Sequence, residues 1–222
     1  MKIATALVTV LVTAPLTALT TVGFAGDDPG TGPTETPRGF QIHTTQTAPE
    51  ASRAGLEAIG TAFGFVPNLA GVMSTSPALL SSYLATQDSI EKLGTLSPAE
   101  VNVIQLTMSM ENQCRYCVSG HTLAGKLFFQ TPDEVMDAIR KGEPIADPKL
   151  RALHEFTLSV VAEQGRVTDA ELQQFLAVGY DRSQALEVIA SIAAKMMSNF
   201  TNQLVGTPID EAMQPFTEGL NF

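Results

Sequence analysis

The sequence predicts an all-α fold, built as a single domain of eight or nine helices with short connections. From residue 47 onward, helix-start signals recur in which Ser, Thr or Asp precedes Glu or Gln by three positions, as in a capping box. Between these signals, apolar residues recur with helical spacing, and no stretch shows the two-residue alternation of a half-buried strand. The five signals are TAPE (Thr47–Glu50), SPAE (Ser97–Glu100), TPDE (Thr131–Glu134), TDAE (Thr168–Glu171) and DRSQ (Asp181–Gln184).

Each helix follows from a start signal, an apolar stripe and an end signal. Pro98 and Pro132 suit the first helical position, where a missing N–H is harmless, and Ser76 and Asp147 each stand before a proline in the same way. Glycines mark several of the expected ends. We expect helices over 49–62, 67–74, 77–92, 98–111, 114–129, 132–141, 148–164, 169–177 and 182–205.

The N-terminal segments predict export. Residues 1–25 resemble a secretory signal peptide, because Lys2 is followed by an uncharged stretch and Gly23 and Ala25 suit cleavage after Ala25. An uncleaved anchor is the alternative, although this stretch would make a poor membrane-spanning helix. Residues 26–48 are rich in Gly, Pro and Thr and predict a flexible leader in which His43 is solvated. The domain then spans 49–222, and the protein is expected to be periplasmic or secreted.

The composition narrows the class of partner. The chain has 222 residues, 44% of them hydrophobic, with a net charge of −10. That length and apolar content suffice for one sizeable core. An acidic surface without a basic run repels phosphate backbones, so we expect no nucleic-acid partner. We also expect no cofactor and no metal ion.

One short stretch, ENQCRYCVSGH, concentrates the reactive side chains. Cys114 and Cys117 are the only cysteines, and His121 is one of three histidines. At positions i, i+3 and i+7 they share one face of a helix. The helix start favours thiolate, and His121 is placed to take the proton of Cys117. This arrangement is typical of thiol–disulfide exchange or thiol-based peroxide reduction.

Other interpretations of the same stretch fit less well. A c-type haem site needs His directly after the second cysteine, where Val118 stands. Zinc would need a second ligand pair, but His43 and His154 have no partner at ligand spacing. A thioredoxin-like motif needs a βαβ context. The interpretation of the pair as a structural disulfide remains an alternative, although a disulfide that closes so short a loop would stabilise the fold little.

ENQCRYCVSGHT closely resembles the CxxCxxxH signature of the alkylhydroperoxidase D-like branch of the carboxymuconolactone decarboxylase family. The phrases LSPAEVNVIQLTMSMEN, FGFVPNLAGVMSTSPALLSSYL and NFTNQLVGTPID are similar to flanking parts of that family, so the resemblance covers residues 52–215. It implies an alkylhydroperoxidase D-like helical fold assembled as trimers or hexamers, with peroxidase or disulfide-reductase activity. It also implies that Cys117 attacks, Cys114 resolves and His121 relays protons.

The chain departs from the family at two positions. Asn102 stands where the family often has a relay glutamate, which leaves Glu100 and Glu111 as the candidate carboxylates of the relay. Tyr116 stands between the cysteines, where a histidine assists in some members. The Cys114 position at the helix start also argues for the opposite order of the two thiols, since the dipole favours its thiolate.

The sequence therefore predicts an exported thiol-dependent peroxidase or dithiol–disulfide oxidoreductase. Its substrate would be a small peroxide or disulfide, and its electrons would come from a thiol reductant that the sequence does not identify. Two alternatives are a non-enzymatic helical binding protein with a structural disulfide and a decarboxylase or isomerase on the same fold. Asn199 and Asn202 could line a pocket or simply occupy the end of the last long helix.

Overall fold

A computed structural model describes residues 32–222, and this part of the chain is all-α, as predicted. Its only extended pairing is an isolated bridge between Glu35 and Gln41. The helices are α1 (Glu50–Phe63), α2 (Asn68–Met73), α3 (Pro77–Leu93), α4 (Pro98–Glu111), α5 (Arg115–Ala124), α6 (Asp133–Lys141), α7 (Pro148–Ala162), α8 (Asp169–Ala177) and α9 (Arg182–Val205). A π-helical turn (Gly125–Phe129) follows α5, and a 3-10 helix (Glu211–Thr217) follows α9.

The caps explain most of these boundaries. Capping boxes form at Ser97, Thr168 and Asp181, as predicted. The predicted boxes in TAPE and TPDE do not form, because Pro49 and Pro132 themselves occupy the N-cap and each helix begins one residue later. The threonine hydroxyls bond elsewhere: that of Thr47 accepts the Thr44 N–H at 2.9 Å, and that of Thr131 accepts Asn102 Nδ2 at 2.9 Å.

The segment before α1 packs against the domain. The prediction of a flexible leader over 26–48 is wrong for its second half, and His43 is 9% exposed instead of solvated. The His43 N–H donates to the Gly71 carbonyl at 3.3 Å. A Cβ on Gly71 would stand 2.7 Å from the His43 carbonyl oxygen, so glycine permits this close approach. The predicted signal peptide lies outside the described residues.

The main hydrophobic core surrounds α4 and is closed by α6, α7, α8 and part of α9. Val103, Ile104 and Leu106 of α4 are fully buried in it. Phe175 stacks between Phe156 and Tyr180, with ring centroids 4.3 and 4.5 Å away. A smaller core joins α1, α2 and α3, and a third apolar cluster surrounds the cysteines on α5.

Helices α4, α5 and α9 meet between these clusters, and their contact positions the candidate site. None of the helices within residues 32–222 combines the length and the apolarity needed to cross a bilayer.

Candidate active site at the contact of α4, α5 and α9

The cysteine pair lies at the start of α5, where the sequence predicts it. Helix α4 ends at Glu111, and Gln113 adopts a left-handed conformation with φ 52° that turns the chain. Cys114 is the N-cap of α5, and its sulfur accepts the Cys117 N–H at 3.3 Å. Cys114 and Cys117 form a disulfide with their Cα atoms 5.3 Å apart. The pair is therefore preorganised by the helix start itself.

Both cysteines are covered. Cys114 is 2% exposed and Cys117 3% exposed. Their apolar cover includes side chains from the 3-10 helix, among them Met213 and Phe216. Arg140 of α6 holds the end of that 3-10 helix by donating to the carbonyls of Phe216 at 2.9 Å and Glu218 at 2.7 Å. The last residues of the domain thus shield the disulfide from solvent.

Tyr116, between the cysteines, has a structural role. Its hydroxyl donates to the carboxylate of Asp210 and accepts the Leu69 N–H at 3.2 Å. Asp210 also accepts the Asn68 N–H at 3.0 Å. Burial and the neighbouring Asp210 raise the pKa of Tyr116 well above its ordinary value, so the phenol stays protonated. Tyr116 thereby ties α5 to α2 and to the C-terminal segment.

His121 has both ring nitrogens engaged. Nδ1 lies 2.9 Å from Oδ1 of Asn102, and Nε2 lies 2.8 Å from Nζ of Lys195. Burial and the nearby Lys195 lower the pKa of His121 well below its ordinary value, so the ring is neutral. Since Oδ1 only accepts, the proton is on Nδ1, and Nε2 accepts from Lys195. The ring is one turn beyond Cys117, but its hydrogen bonds go to Asn102 and Lys195.

Lys195, in the middle of α9, is the site residue that the sequence analysis missed. Its side chain is 2% exposed, and burial lowers its pKa to about 7. None of the ion pairs found in residues 32–222 involves it. A signal existed in the sequence, because Lys195 is the sole charged residue between Glu187 and Asp210. A lone lysine in an otherwise uncharged stretch of helix indicates a functional role when it is buried.

Two asparagines continue the same face of α9. Asn202 Nδ2 donates to Cys117 Sγ at 3.1 Å. Asn199 Oδ1 accepts from Asn112 Nδ2, at the end of α4, at 2.9 Å. Lys195, Asn199 and Asn202 follow one another at i, i+4 and i+7, so all three side chains face α4 and α5.

The two candidate carboxylates are not brought to the cysteines. Glu100 accepts from the N–H and the hydroxyl of Ser97, both at 2.8 Å, and from Lys149 at 2.9 Å. Burial raises the pKa of Glu100, but the bonds from Lys149 and Ser97 outweigh burial and lower it. Glu100 lies near the start of α4, eleven residues or about 16 Å from the end of that helix at Glu111, and the cysteines follow that end. Glu111 lies exposed at the end of α4. The relay position is occupied by the amide of Asn102.

Other histidines and acids lie apart from the site. His154 Nδ1 bonds to the hydroxyl of Thr107 at 2.7 Å, on the α4–α7 contact. Within residues 32–222, no three or more His, Cys, Asp or Glu side chains converge in a way that could hold a metal ion. The chemistry available in the described site is that of a dithiol or disulfide, a neutral imidazole and an amine that titrates near neutrality.

Fold and site together define an all-helical protein with a CxxC pair at a helix start beside a histidine that bonds to a buried lysine. Residues 77–158, from α3 into α7, match the model of the carboxymuconolactone decarboxylase family. The match covers 82 of the 222 residues, and the fold of the whole domain is similar to that of alkylhydroperoxidase-like structures.

Three solved structures show the similarity of fold. A protein from Ralstonia eutropha JMP134, described as an alkylhydroperoxidase AhpD core and an uncharacterized peroxidase-related protein, is 22% identical, with a TM-score of 0.71 over 82% of this chain and 95% of that chain. An uncharacterized peroxidase-related protein from Silicibacter sp. TM1040 is 17% identical, with a TM-score of 0.67 over the same shares. The debrominase Bmp8, in complex with 2,3,4-tribromopyrrole, is 17% identical, with a TM-score of 0.65 over 78% and 92%. Among curated proteins, none matches the chain by sequence.

Proposed function

We propose that the protein is a thiol-dependent peroxidase, or dithiol–disulfide oxidoreductase, that is exported from the cytoplasm. The observation that carries the proposal is the disulfide between Cys114 and Cys117 at the start of α5, with His121 and Lys195 beside it. The family resemblance and the peroxidase-related descriptions of two similar structures support the same activity.

The chemistry follows from the reduced pair. The Cys117 thiolate attacks a hydroperoxide, an S–O bond forms, the O–O bond breaks, and the alcohol leaves with a proton. The Cys114 thiol then displaces water from the Cys117 sulfenic acid and closes the disulfide. An external thiol reductant restores the dithiol. The Asn202 N–H that points at Cys117 stabilises the thiolate, since a hydrogen bond to the charged form favours it.

Cysteine substitutions test the proposal. Cys114→Ser, treated with one equivalent of hydroperoxide, should accumulate a sulfenic acid at Cys117 that a dimedone probe traps and mass spectrometry locates. Cys117→Ser should consume almost no peroxide. The reverse pattern exchanges the roles of the two thiols. Inertness of both variants and of the reduced wild type contradicts the proposal.

The burial of both sulfurs favours a second candidate, a helical binding protein in which the disulfide is structural. A structural disulfide should resist reduction by dithiothreitol in the folded protein and should be closed at every stage of purification. A catalytic pair should be reduced without unfolding, with unchanged far-UV circular dichroism. Thiol titration of the folded protein separates the two.

Export and self-association complete the proposal. Export rests on the predicted signal peptide, and an intact mass that begins at Gly26 would support it. Self-association rests on the family resemblance and on α9, whose exposed side from Val188 to Val205 is uncharged and, apart from Gln203, apolar. A second copy of the chain fits this side, because two acidic chains meet there without bringing carboxylates together.

A further inference from the structure

One face of α9 is buried and polar beside the cysteines. Asn199 is 0% exposed and Asn202 5% exposed. Along α9, Lys195 lies against His121, Asn199 against the end of α4, and Asn202 against Cys117. Asn199 therefore stands between the sulfur and the lysine, about 4.5 Å from Asn202 along the helix axis.

Each asparagine uses one half of its amide and leaves the other half without a partner. Asn199 Oδ1 and Asn202 Nδ2 are bonded, as described above. Asn199 Nδ2 and Asn202 Oδ1 are buried and have no hydrogen-bond partner among the described residues. Buried polar groups in folded proteins are nearly always paired. An unpaired acceptor on the residue that bonds to Cys117, and an unpaired donor about one turn before it on α9, therefore need an explanation.

We propose that Asn199 and Asn202 bind the hydroperoxide group of the substrate and orient it for attack by Cys117. A hydroperoxide has one O–H donor and a second oxygen that accepts, which matches one free acceptor and one free donor. A disulfide substrate has no such donor. The inference rests on the proposed peroxidase function and names the residues that hold the reacting group.

The order of residues along α9 assigns each oxygen. The terminal O–H, nearest Cys117, donates to Asn202 Oδ1, and the oxygen that carries the organic group accepts from Asn199 Nδ2. The sulfur attacks the terminal oxygen, which stays on sulfur with its hydrogen as the sulfenic acid. The electron pair of the O–O bond goes to the other oxygen, which takes a proton from the Lys195 ammonium and leaves as the alcohol. Lys195 then recovers a proton from solvent, and the two protein thiols supply the two electrons.

The test isolates the first step. Asn199→Leu and Asn202→Leu are each made in a Cys114→Ser background and reacted with cumene hydroperoxide and, separately, with iodoacetamide. Iodoacetamide reports the accessibility and nucleophilicity of Cys117 and does not need a binding site for a hydroperoxide group. Asn199→Leu should lower the second-order rate constant for the hydroperoxide about tenfold, the equivalent of one hydrogen bond in the transition state, and leave alkylation unchanged. Asn202→Leu also removes the N–H that stabilises the Cys117 thiolate, so it should slow alkylation as well, but it should lower the hydroperoxide rate about tenfold further. Ser191→Ala is the matched control, because Ser191 is also fully buried on α9 with an unpaired hydroxyl. It should alter neither rate.

Three outcomes would overturn the inference. If the asparagine variants lose both rates equally, the amides have a structural role only. If the rate with the hydroperoxide does not fall, the amides do not contact the substrate. Asn199→Ala and Asn202→Ala give the same comparison with smaller side chains should the leucine variants fail to fold. If the Cys114→Ser parent alkylates but ignores the hydroperoxide, the proposed function fails, and the inference with it.

Discussion

Helices α6 and α9 divide their residues between interior and surface in opposite ways. The buried residues of α6 are apolar, and two acidic residues lie in its first turn and two basic residues in its last. The face of α9 that looks toward α5 carries Lys195, Asn199 and Asn202. The exposed side of α9 is apolar, with Leu186, Ile189, Met196, Phe200 and Leu204.

The difference separates what stabilises a helix from what serves a site. Burial of apolar surface stabilises α6, and its charges complement the helix dipole. The polar stripe of α9 is stabilised far less by burial, because desolvation opposes it. Helix α9 is held by its other buried residues, such as Val188 and Val205, and by its capping box. The proposed chemistry would account for its polar stripe, and the proposed self-association for its exposed apolar side.

The largest expected effect is on the pH dependence of stability. The pKa of Lys195 is about 7 in the folded protein, whereas that of a solvated lysine, as in the unfolded chain, is 10.5. Between these values the unfolded chain binds more protons than the folded chain, so the unfolding free energy rises with pH. Above pH 10.5 both states are neutral, and below pH 7 both are charged. The rise is at most about 5 kcal/mol.

Comparison with Lys195→Met isolates this contribution. Urea unfolding of the oxidised proteins at a series of pH values from 7 to 10 should show the wild type gaining stability relative to the variant. His121 is neutral throughout this range, since its pKa lies well below 6.5, and adds nothing to the difference. Parallel curves for the two proteins would mean that Lys195 is solvated.

Two isoleucines, one on each helix, give the next effect. Ile139 of α6 is buried in the main core, whereas Ile189 of α9 is half exposed. Ile139→Ala should lower the unfolding free energy by about 3 kcal/mol, because it leaves a cavity. Ile189→Ala should change the unfolding free energy of the monomer by less than about 0.5 kcal/mol. Urea unfolding at low protein concentration measures both changes. Equal losses of unfolding free energy would contradict the difference in burial between the two isoleucines.

The cap of α9 should contribute less. Asp181 accepts the Gln184 N–H at 2.9 Å, and Gln184 returns a bond to the Asp181 N–H at 3.0 Å. Asp181→Ala removes the first bond and should destabilise the protein by about 1 kcal/mol. Ser183→Ala, at an exposed neighbouring position, serves as the control. Thermal unfolding followed by circular dichroism measures both variants. Equal midpoint temperatures would mean that the cap does not stabilise the protein.

The smallest effect on unfolding should come from Phe200→Gln, on the exposed side of α9. The variant should fold as stably as the wild type at low concentration. Its mass by light scattering should nevertheless fall toward that of one chain if two copies meet on this side. A wild type that already scatters as a single chain of 23.6 kDa, or of slightly less after cleavage, would contradict self-association.

The sequence predicts local features of this molecule better than distant contacts. Helix positions follow from caps and apolar spacing, and Cys114, Cys117 and His121 lie close enough in sequence for their shared face to be deduced. The contact of Lys195 with His121 joins residues 74 positions apart. No local pattern predicts it, because lysine is normally exposed.

The two candidate carboxylates, Glu100 and Glu111, show the same limit of local sequence. Asn102 departs from the family pattern, and the nearby chain offers only Glu100 and Glu111 as replacement carboxylates. The structure instead brings the amine of Lys195 from α9 to the histidine. The boxes in TAPE and TPDE do not form because a proline with extended ψ is the N-cap residue, so the threonine stands before the cap and does not bond to the first amides.

The cover of the cysteines comes from the very end of the domain, in the 3-10 helix Glu211–Thr217. Because the ribosome delivers a chain from its N-terminus, the nascent polypeptide exposes both thiols to solvent well before their shield has been synthesised. The two cysteines need no distant element to find each other, since they are three positions apart. Oxidation can thus precede completion of the fold. During synthesis, reagents in solution can reach the two thiols, which are buried in the folded protein.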